Sequence, residues 1–224
     1  MIEEIKKYYD DLARSYDSNR FENSYGQYID LQERSFLKAF LPLKSSSNIL
    51  DLGCGTGRFL NLANYGVDIS SNMIEIAQSK FPKIRFKEGS VSNIPFENNH
   101  FDAIYSLHVI MHLNQEITQS FLSETHKKLK SNGKLIFDFP SKKRRKLVGY
   151  TSENWHAANE FSIDEIIKLS ESNWKLVRFR GVLFLPIHRF PIIIRRFFVI
   201  IDNVLCRSFF KEYASYVIIE LEKK

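Results

Sequence analysis

Three glycines at alternate positions, Gly53, Gly55 and Gly57, lie between two apolar segments, with Asp51 just before them and Asp68 a short way after. Alternating glycines let the main chain turn sharply and let a ligand approach its amides closely. A carboxylate at the tip of the next strand can accept two hydrogen bonds from a ribose diol, and Asp68 is the candidate for that contact. The chemistry in prospect is nucleoside binding. Two alternatives fail on spacing. A P-loop needs Lys and then Ser or Thr after its last glycine, where this chain has Arg58 and Phe59, and the dinucleotide fingerprint needs its third glycine at position 58. Further along, His108 and His112 offer groups that exchange protons near neutral pH. Only Cys54 and Cys206 occur, so neither a disulfide framework nor a cysteine metal site is expected, and no metal is assigned.

Those residues need elements to hold them. Ile49-Leu50-Asp51-Leu52 reads as a buried parallel strand ending at a polar pocket, and Phe59, Leu60, Leu62 and Ala63 resume with helical spacing, which gives strand, glycine loop, helix. Only ten residues separate Gly57 from Asp68. Either the first helix is clipped to about two turns or the second strand is nearly absent. Ser70 is placed to cap a helix beginning near Met73, and Lys83 to Val91 alternates as a third strand. Asp102 to Leu107 is apolar enough for a central fourth strand running into His108 and His112, and ligands of open α/β sheets bind outside such carboxyl ends. A helix from about Gln115 to Lys130 ends at Asn132-Gly133, and Lys134 to Pro140 is the fifth strand. Trp155-His156 precede a capping box, Ser162 with Glu165, which starts a helix to about Ser170. Residues 174–185 and 215–221 read as the last two strands, and the alternation of strands and helices defines a doubly wound α/β domain.

Read with its strand, Leu50-Asp-Leu-Gly-Cys-Gly-Thr-Gly57 resembles the first motif of the class I S-adenosylmethionine-dependent methyltransferases. The segment from Asp68 through Ser70 to Met73 is similar to the second motif, and Ile94 to Leu113 to the stretch around strand four. Tyr9 to Asp17 resembles the tyrosine-containing opening that folds over the cofactor in small-molecule methyltransferases, although Tyr8, Tyr9 and Tyr16 are equally well explained as half-buried packing residues. The resemblance implies a mainly parallel, seven-stranded, Rossmann-like sheet with an antiparallel last strand and a helical N-terminal cap over residues 1–44. It implies S-adenosyl-L-methionine as cofactor, held by Tyr16, Asp51, Gly53, Cys54, Gly55, Gly57, Asp68, Ile69, Met73, Ser90, Val91, Ser106 and Leu107. Ser90 stands where the family commonly has an aspartate for the adenine amino group, and Val91 would lie against the ring. His112 matches a histidine common in the family, whereas His108 is less stereotyped and is the sharper candidate for a base or substrate contact. The Asn-Pro-Pro-Tyr signature of adenine or glutamine methylation is missing after strand four, where Ser106-Leu-His-Val stands, and no cysteine near strands four to six offers a covalent thiolate. The acceptor expected is a small molecule, such as a sugar, a lipid precursor or another biosynthetic intermediate. A macromolecule (RNA or protein) as acceptor and a non-catalytic, S-adenosylmethionine-binding or membrane-associated regulatory role are the alternatives.

The 224 residues carry a formal charge of +6, with 44% hydrophobic and 26% charged residues, which suits one globular domain and favours anionic partners only mildly. Lys142-Lys-Arg-Arg-Lys146 concentrates that excess, as a solvated loop or as a contact for an anionic acceptor; without interleaved aromatics it argues little for nucleic acid. The N-terminus lacks a signal-peptide core and no segment is apolar for long enough to cross a membrane, so a cytoplasmic location is expected. Residues 187–211 form a helical insertion in which Phe197, Ile200, Ile201, Val204 and Leu205 repeat at helical spacing with Arg195, Arg196, Arg207 and Lys211 off that stripe. Packing against the sheet edge is the ordinary expectation for it, with peripheral membrane contact over about 190–211 or an acceptor pocket as the alternatives.

Overall fold

The computed structural model describes residues 2–151 and 158–224. Helices α1 (Ile2–Leu12), α2 (Tyr16–Phe21) and α3 (Ser24–Phe40) precede the first strand. Strands β1 (Ile49–Leu52), β2 (Tyr65–Asp68), β3 (Arg85–Glu88), β4 (Phe101–Ser106), β5 (Leu129–Pro140), β6 (Trp174–Val182) and β7 (Tyr216–Lys223) alternate with helices α4 (Ser71–Lys80), α5 (Gln115–Lys128), α6 (Lys142–Val148), α7 (Ile163–Ser170) and α8 (Ile192–Leu205). The strands form one sheet in the order β3-β2-β1-β4-β5-β7-β6. Pairing is parallel from β3 to β5, and β7 runs antiparallel to both neighbours. This is the mainly parallel seven-stranded sheet that the sequence leads one to expect.

Every residue of β1 and β2 is buried, because helices cover both faces, and that is why these strands read as apolar runs without alternation. Successive side chains still point to opposite faces. Leu50 and Leu52 pack with Phe121 and Phe137 on one face, while Ile49, Tyr105 and Ile136 pack with Phe36 and Leu37 of α3 on the other. Strand order reverses between β1 and β4, so the crevice at their carboxyl ends is where an α/β sheet of this kind takes its ligand.

Four local expectations change. The helix after the glycine loop shrinks to a single short turn, Leu60–Leu62, and β2 is complete, which is how ten residues suffice to reach Asp68. Helix α5 stops at Lys128 rather than Lys130, and the left-handed residue beyond it is Asn132, φ 60°, within the span of β5. The basic run is helical, capped by Ser141 accepting from the Arg144 amide, and three of its five members meet carboxylates: Lys142 with Glu165, Lys143 with Glu212, and Arg145 with Glu160 at 3.6 Å. In α8, Phe197, Ile200 and Val204 do not pack inward; they are 61%, 65% and 63% exposed, and Phe198, Val199 and Asp202 face the protein instead. Trp155 and His156 lie outside the described residues.

Candidate active site

The glycine loop closes on the rest of the molecule from two sides. Gly53 has φ 79°, and a side chain there would meet Val109 Cγ2 at 2.4 Å, so the position demands glycine for both backbone and space. Gly55, φ 50°, faces open space, with Tyr16 Cε1 at 3.9 Å as the nearest atom a Cβ would meet. The Gly55 amide donates to Asp68 Oδ2 at 2.8 Å and the Ser70 amide to Oδ1 at 2.9 Å. With the Ile69 amide also acting on it, this buried carboxylate is held mainly by backbone donors and still has acceptor capacity toward the crevice. Burial raises the Asp68 pKa above the usual carboxylate range, and the bonds from the Ser70 and Gly55 amides offset only part of that rise.

The N-terminal helices cover this crevice and are fastened to its rim by side chains. Asp10 accepts from Ser70 Oγ, Asp17 from Thr56 Oγ1 and from Lys80, and Lys6 pairs with Glu88. The resulting cavity occupies about 800 Å³ of space open at its mouth. Tyr16, Gly53, Gly55, Asp68, Ile69, Met73, Ser90, Val91, Leu107, His108 and His112 line it, joined by Tyr9, Val109 and Leu113. Four sequence candidates stand outside that lining. Asp51 lies on the opposite face of β1 from Leu52, against Tyr105, and burial pushes its carboxyl up to about 8. Cys54 packs with Leu60 and Ala77, Gly57 lies against Phe81, and Ser106 is buried below the crevice floor.

A second cavity, about 680 Å³ with its open mouth, shares Tyr9, Tyr16, His108 and His112 with the first and adds Tyr25, Ile29, Met111 and Tyr216. The two histidines sit differently on that shared wall. His112 is buried and its Nε2 lies 2.9 Å from the Tyr9 hydroxyl. Burial raises the Tyr9 pKa, so its hydroxyl keeps its proton, and it donates to Nε2 in the His112 tautomer that carries its proton on Nδ1. His108, with φ 60°, holds Nε2 2.8 Å from Glu33 Oε1 and Nδ1 3.6 Å from Asp138 Oδ2, while its amide donates to Asp138 Oδ1 at 2.6 Å. The Glu33 contact is within hydrogen-bond distance, whereas the 3.6 Å Asp138 contact is an ion pair too long for a hydrogen bond. Arg58 donates to the other Glu33 oxygen at 2.8 Å and to Asp30 at 3.0 Å, and Arg34 holds Asp30 as well.

Glu33, His108 and Asp138 bring their donor atoms within 4.8 Å of one another, close enough to share a cation. Charge counting shows that a proton serves equally. Asp30, Glu33 and Asp138 carry three negative charges, and Arg34, Arg58 and protonated His108 carry three positive ones. Burial by itself would lower the His108 pKa, but the adjacent Glu33 and Asp138 outweigh it and hold the ring above its ordinary value. Burial pushes Asp138 up to about 6, and the cations His108 and Arg58 pull Glu33 below its usual range despite its complete burial. Sequence reasoning missed this cluster. Its signal was present: Glu33 falls on the apolar stripe of α3 with Ile29, Phe36 and Leu37, and Asp138 interrupts the apolar run of β5.

A capped crevice at a sheet's switch point, with a glycine loop facing a buried acid, defines a nucleoside-binding α/β domain. Comparison with known proteins makes this specific. The sequence family described as "Methyltransferase domain" matches residues 50–137. Over 148 residues the chain is 28% identical to the ubiquinone/menaquinone biosynthesis C-methyltransferase UbiE of Campylobacter jejuni, covering 60% of this chain and 62% of that one. Among solved structures, a Thermotoga maritima S-adenosylmethionine-dependent methyltransferase, described as a possible histamine N-methyltransferase, superposes with TM-score 0.72 at 20% identity over 98% of this chain and 99% of that one. Magnesium protoporphyrin IX methyltransferase of Synechocystis PCC 6803, solved with bound S-adenosylmethionine, superposes at TM-score 0.66 and 17% identity over 100% of this chain and 97% of that one. The chain spans between 50% and 68% of the length of the curated relatives it is compared with. Residues 50–137 match that methyltransferase family, and the fold is the one seen in solved S-adenosylmethionine-dependent methyltransferases.

Proposed function

We propose that this chain transfers a methyl group from S-adenosylmethionine to a small aromatic or lipid-borne acceptor and releases S-adenosylhomocysteine. The observation that carries this is the pair of adjoining cavities, one against the glycine loop and Asp68, the other walled by tyrosines, sharing Tyr9, Tyr16, His108 and His112. The first cavity fits the cofactor. Gly55 leaves room where any side chain would intrude, Asp68 keeps acceptor positions for a ribose diol, and Met73, Val91 and Leu113 offer apolar walls to an adenine ring. When bound, S-adenosylmethionine supplies a methyl group already activated on a sulfonium. The protein's contribution is then to align the acceptor, exclude water and take up one proton. The cap helices exclude water, fastened by Asp10, Asp17 and Lys6.

For the proton, the Tyr9–His112 pair is the better-placed device. As the acceptor loses its proton to the Tyr9 oxygen, the Tyr9 proton moves to His112 Nε2, 2.9 Å away. His108 has both ring nitrogens turned to carboxylates, and its role is to hold the shared wall. The names of the quinone-methylating relatives support an aromatic acceptor with a lipophilic tail. A macromolecular acceptor is less well supported, since three residues of the basic run already have acidic partners. Labelled methyl transfer into fractionated cell extract tests the proposal. Label should enter the lipid-soluble fraction; incorporation into RNA or protein alone would refute the acceptor class, and S-adenosylhomocysteine binding without any transfer would refute catalysis.

A further inference from the structure

Helix α8 is built inside out. The side chain it buries completely is Asp202, whose Oδ2 accepts from the Tyr28 hydroxyl at 2.7 Å and Gln32 Nε2 at 2.9 Å, and whose Oδ1 accepts from the Leu185 amide at 2.6 Å. A buried carboxylate is tolerated only when its oxygens are satisfied, so these three donors fix the roll of the helix. The opposite face is left to solvent, and it is the apolar one. Ile193, Phe197, Ile200 and Val204 follow one another at intervals of three and four residues and are 89%, 61%, 65% and 63% exposed; Ile192 at the start is 81% exposed and Phe209, beyond the end, 84%. Scattered exposed apolar residues need no explanation, but four large ones on one helix stripe, with Ile192 and Phe209 exposed at its two ends, do.

Charge identifies the occupant. Between residues 183 and 211 the sequence has five basic residues, Arg189, Arg195, Arg196, Arg207 and Lys211, and Asp202 is the one acid. With that acid buried, the charged groups this segment itself contributes around the apolar face are cations, and Arg189, Arg196 and Arg207 are exposed. A second copy of the same face would meet like charge with like, whereas phospholipid headgroups of negative charge complement it and acyl chains receive the Ile and Phe side chains. We propose that α8 and the segment after it seat this protein on an anionic membrane surface. Resting on the acceptor reading above, this also sets the acceptor's route. His188 meets Tyr25 edge-on at 4.8 Å, and Tyr25 lines the second cavity, so the seated face adjoins the acceptor pocket.

The 224-residue chain should co-sediment with vesicles of phosphatidylglycerol mixed with phosphatidylcholine, not with phosphatidylcholine alone, and salt should release it. Phe197→Asp with Ile200→Asp should weaken that binding more than about tenfold, since each removes an inserted apolar side chain. Arg196→Ala and Arg207→Ala should each cost about fivefold. Unaltered thermal melting of the variants would show that they are folded, because the changed residues are exposed. Wild-type protein that stays in the supernatant with both vesicle types, or an aspartate double variant that sediments like wild type, overturns the assignment. So does a dimer by light scattering that the double variant splits while vesicles bind neither form. Calorimetry with S-adenosylhomocysteine on the same preparations reads the cofactor site separately: wild type that binds the nucleoside but neither vesicle type overturns docking alone, and failure of wild type to bind the nucleoside overturns the acceptor route.

Discussion

Asp68→Asn tests the centre of the cofactor assignment with the smallest change of shape. In the wild type, Oδ2 receives the Gly55 amide and Oδ1 the Ser70 amide. Asparagine has one acceptor oxygen and an amide that can only donate, so one of those two buried N–H groups loses its partner. Leaving a buried donor unsatisfied costs about 1–3 kcal/mol. In a protein of this length each kcal/mol lowers the melting temperature by about 2–4 °C, so a loss of about 2–12 °C is expected. Binding suffers separately. A hydrogen bond to a charged acceptor is worth about 1.5–3 kcal/mol, and losing one from a ribose diol weakens affinity about tenfold to a hundredfold. Because burial raises the Asp68 pKa, the wild-type carboxylate protonates at a less acid pH than an exposed one would, and the gap between wild type and variant should narrow as pH falls. The assay is calorimetric titration with S-adenosylhomocysteine at neutral and mildly acid pH, with a thermal melt of the same samples. Affinity within twofold of wild type at neutral pH would refute the ribose contact; an unchanged melt would refute the pairing of both amides with this carboxylate.

Three further outcomes follow from the same geometry. Gly53→Ala places a methyl 2.4 Å from Val109 Cγ2 at a φ of 79°, and the backbone conformation alone costs about 1–2 kcal/mol; Val109→Ala in the same chain should recover the steric part but not the conformational part, as thermal melts will show. If Tyr9 and His112 handle the acceptor's proton, His112→Asn and Tyr9→Phe should each lower turnover by about a hundredfold or more and flatten its pH profile, with S-adenosylhomocysteine affinity nearly unchanged; turnover within threefold of wild type would remove the pair from the mechanism. His108→Asn keeps a residue that tolerates positive φ and removes the ring. Since the folded-state pKa of His108 is raised above 6.5, the ring's stabilising contribution is fully present below that pH and is lost as pH rises through the folded value, so the stability difference from wild type should be largest in the acid arm and shrink in the alkaline arm; a difference that grows with pH would contradict the charged triad.

The sequence alone determined the part of the site that is local in the chain. From Ile49 to Met73 strand, glycine turn, acid and helix cap succeed one another within one βαβ-like unit, and each follows from residue type: apolar runs for buried strands, glycine for positive φ, serine for the cap that the Met73 amide uses. Even the shortened connection before β2 was visible as a count of residues. Tertiary structure decided what pairs across the chain. Glu33, Arg58, His108 and Asp138 come from a cap helix, the glycine loop and the ends of two strands, and only the packed sheet shows that their charges meet and that both ring nitrogens of His108 are taken. The same holds for α8. Periodicity announces that a helix has an apolar stripe but not which way it faces; that is settled by Asp202, whose hydrogen-bond donors Tyr28 and Gln32 sit on α3, 174 and 170 positions away in the chain, and whose need for them turns the isoleucines and phenylalanines outward.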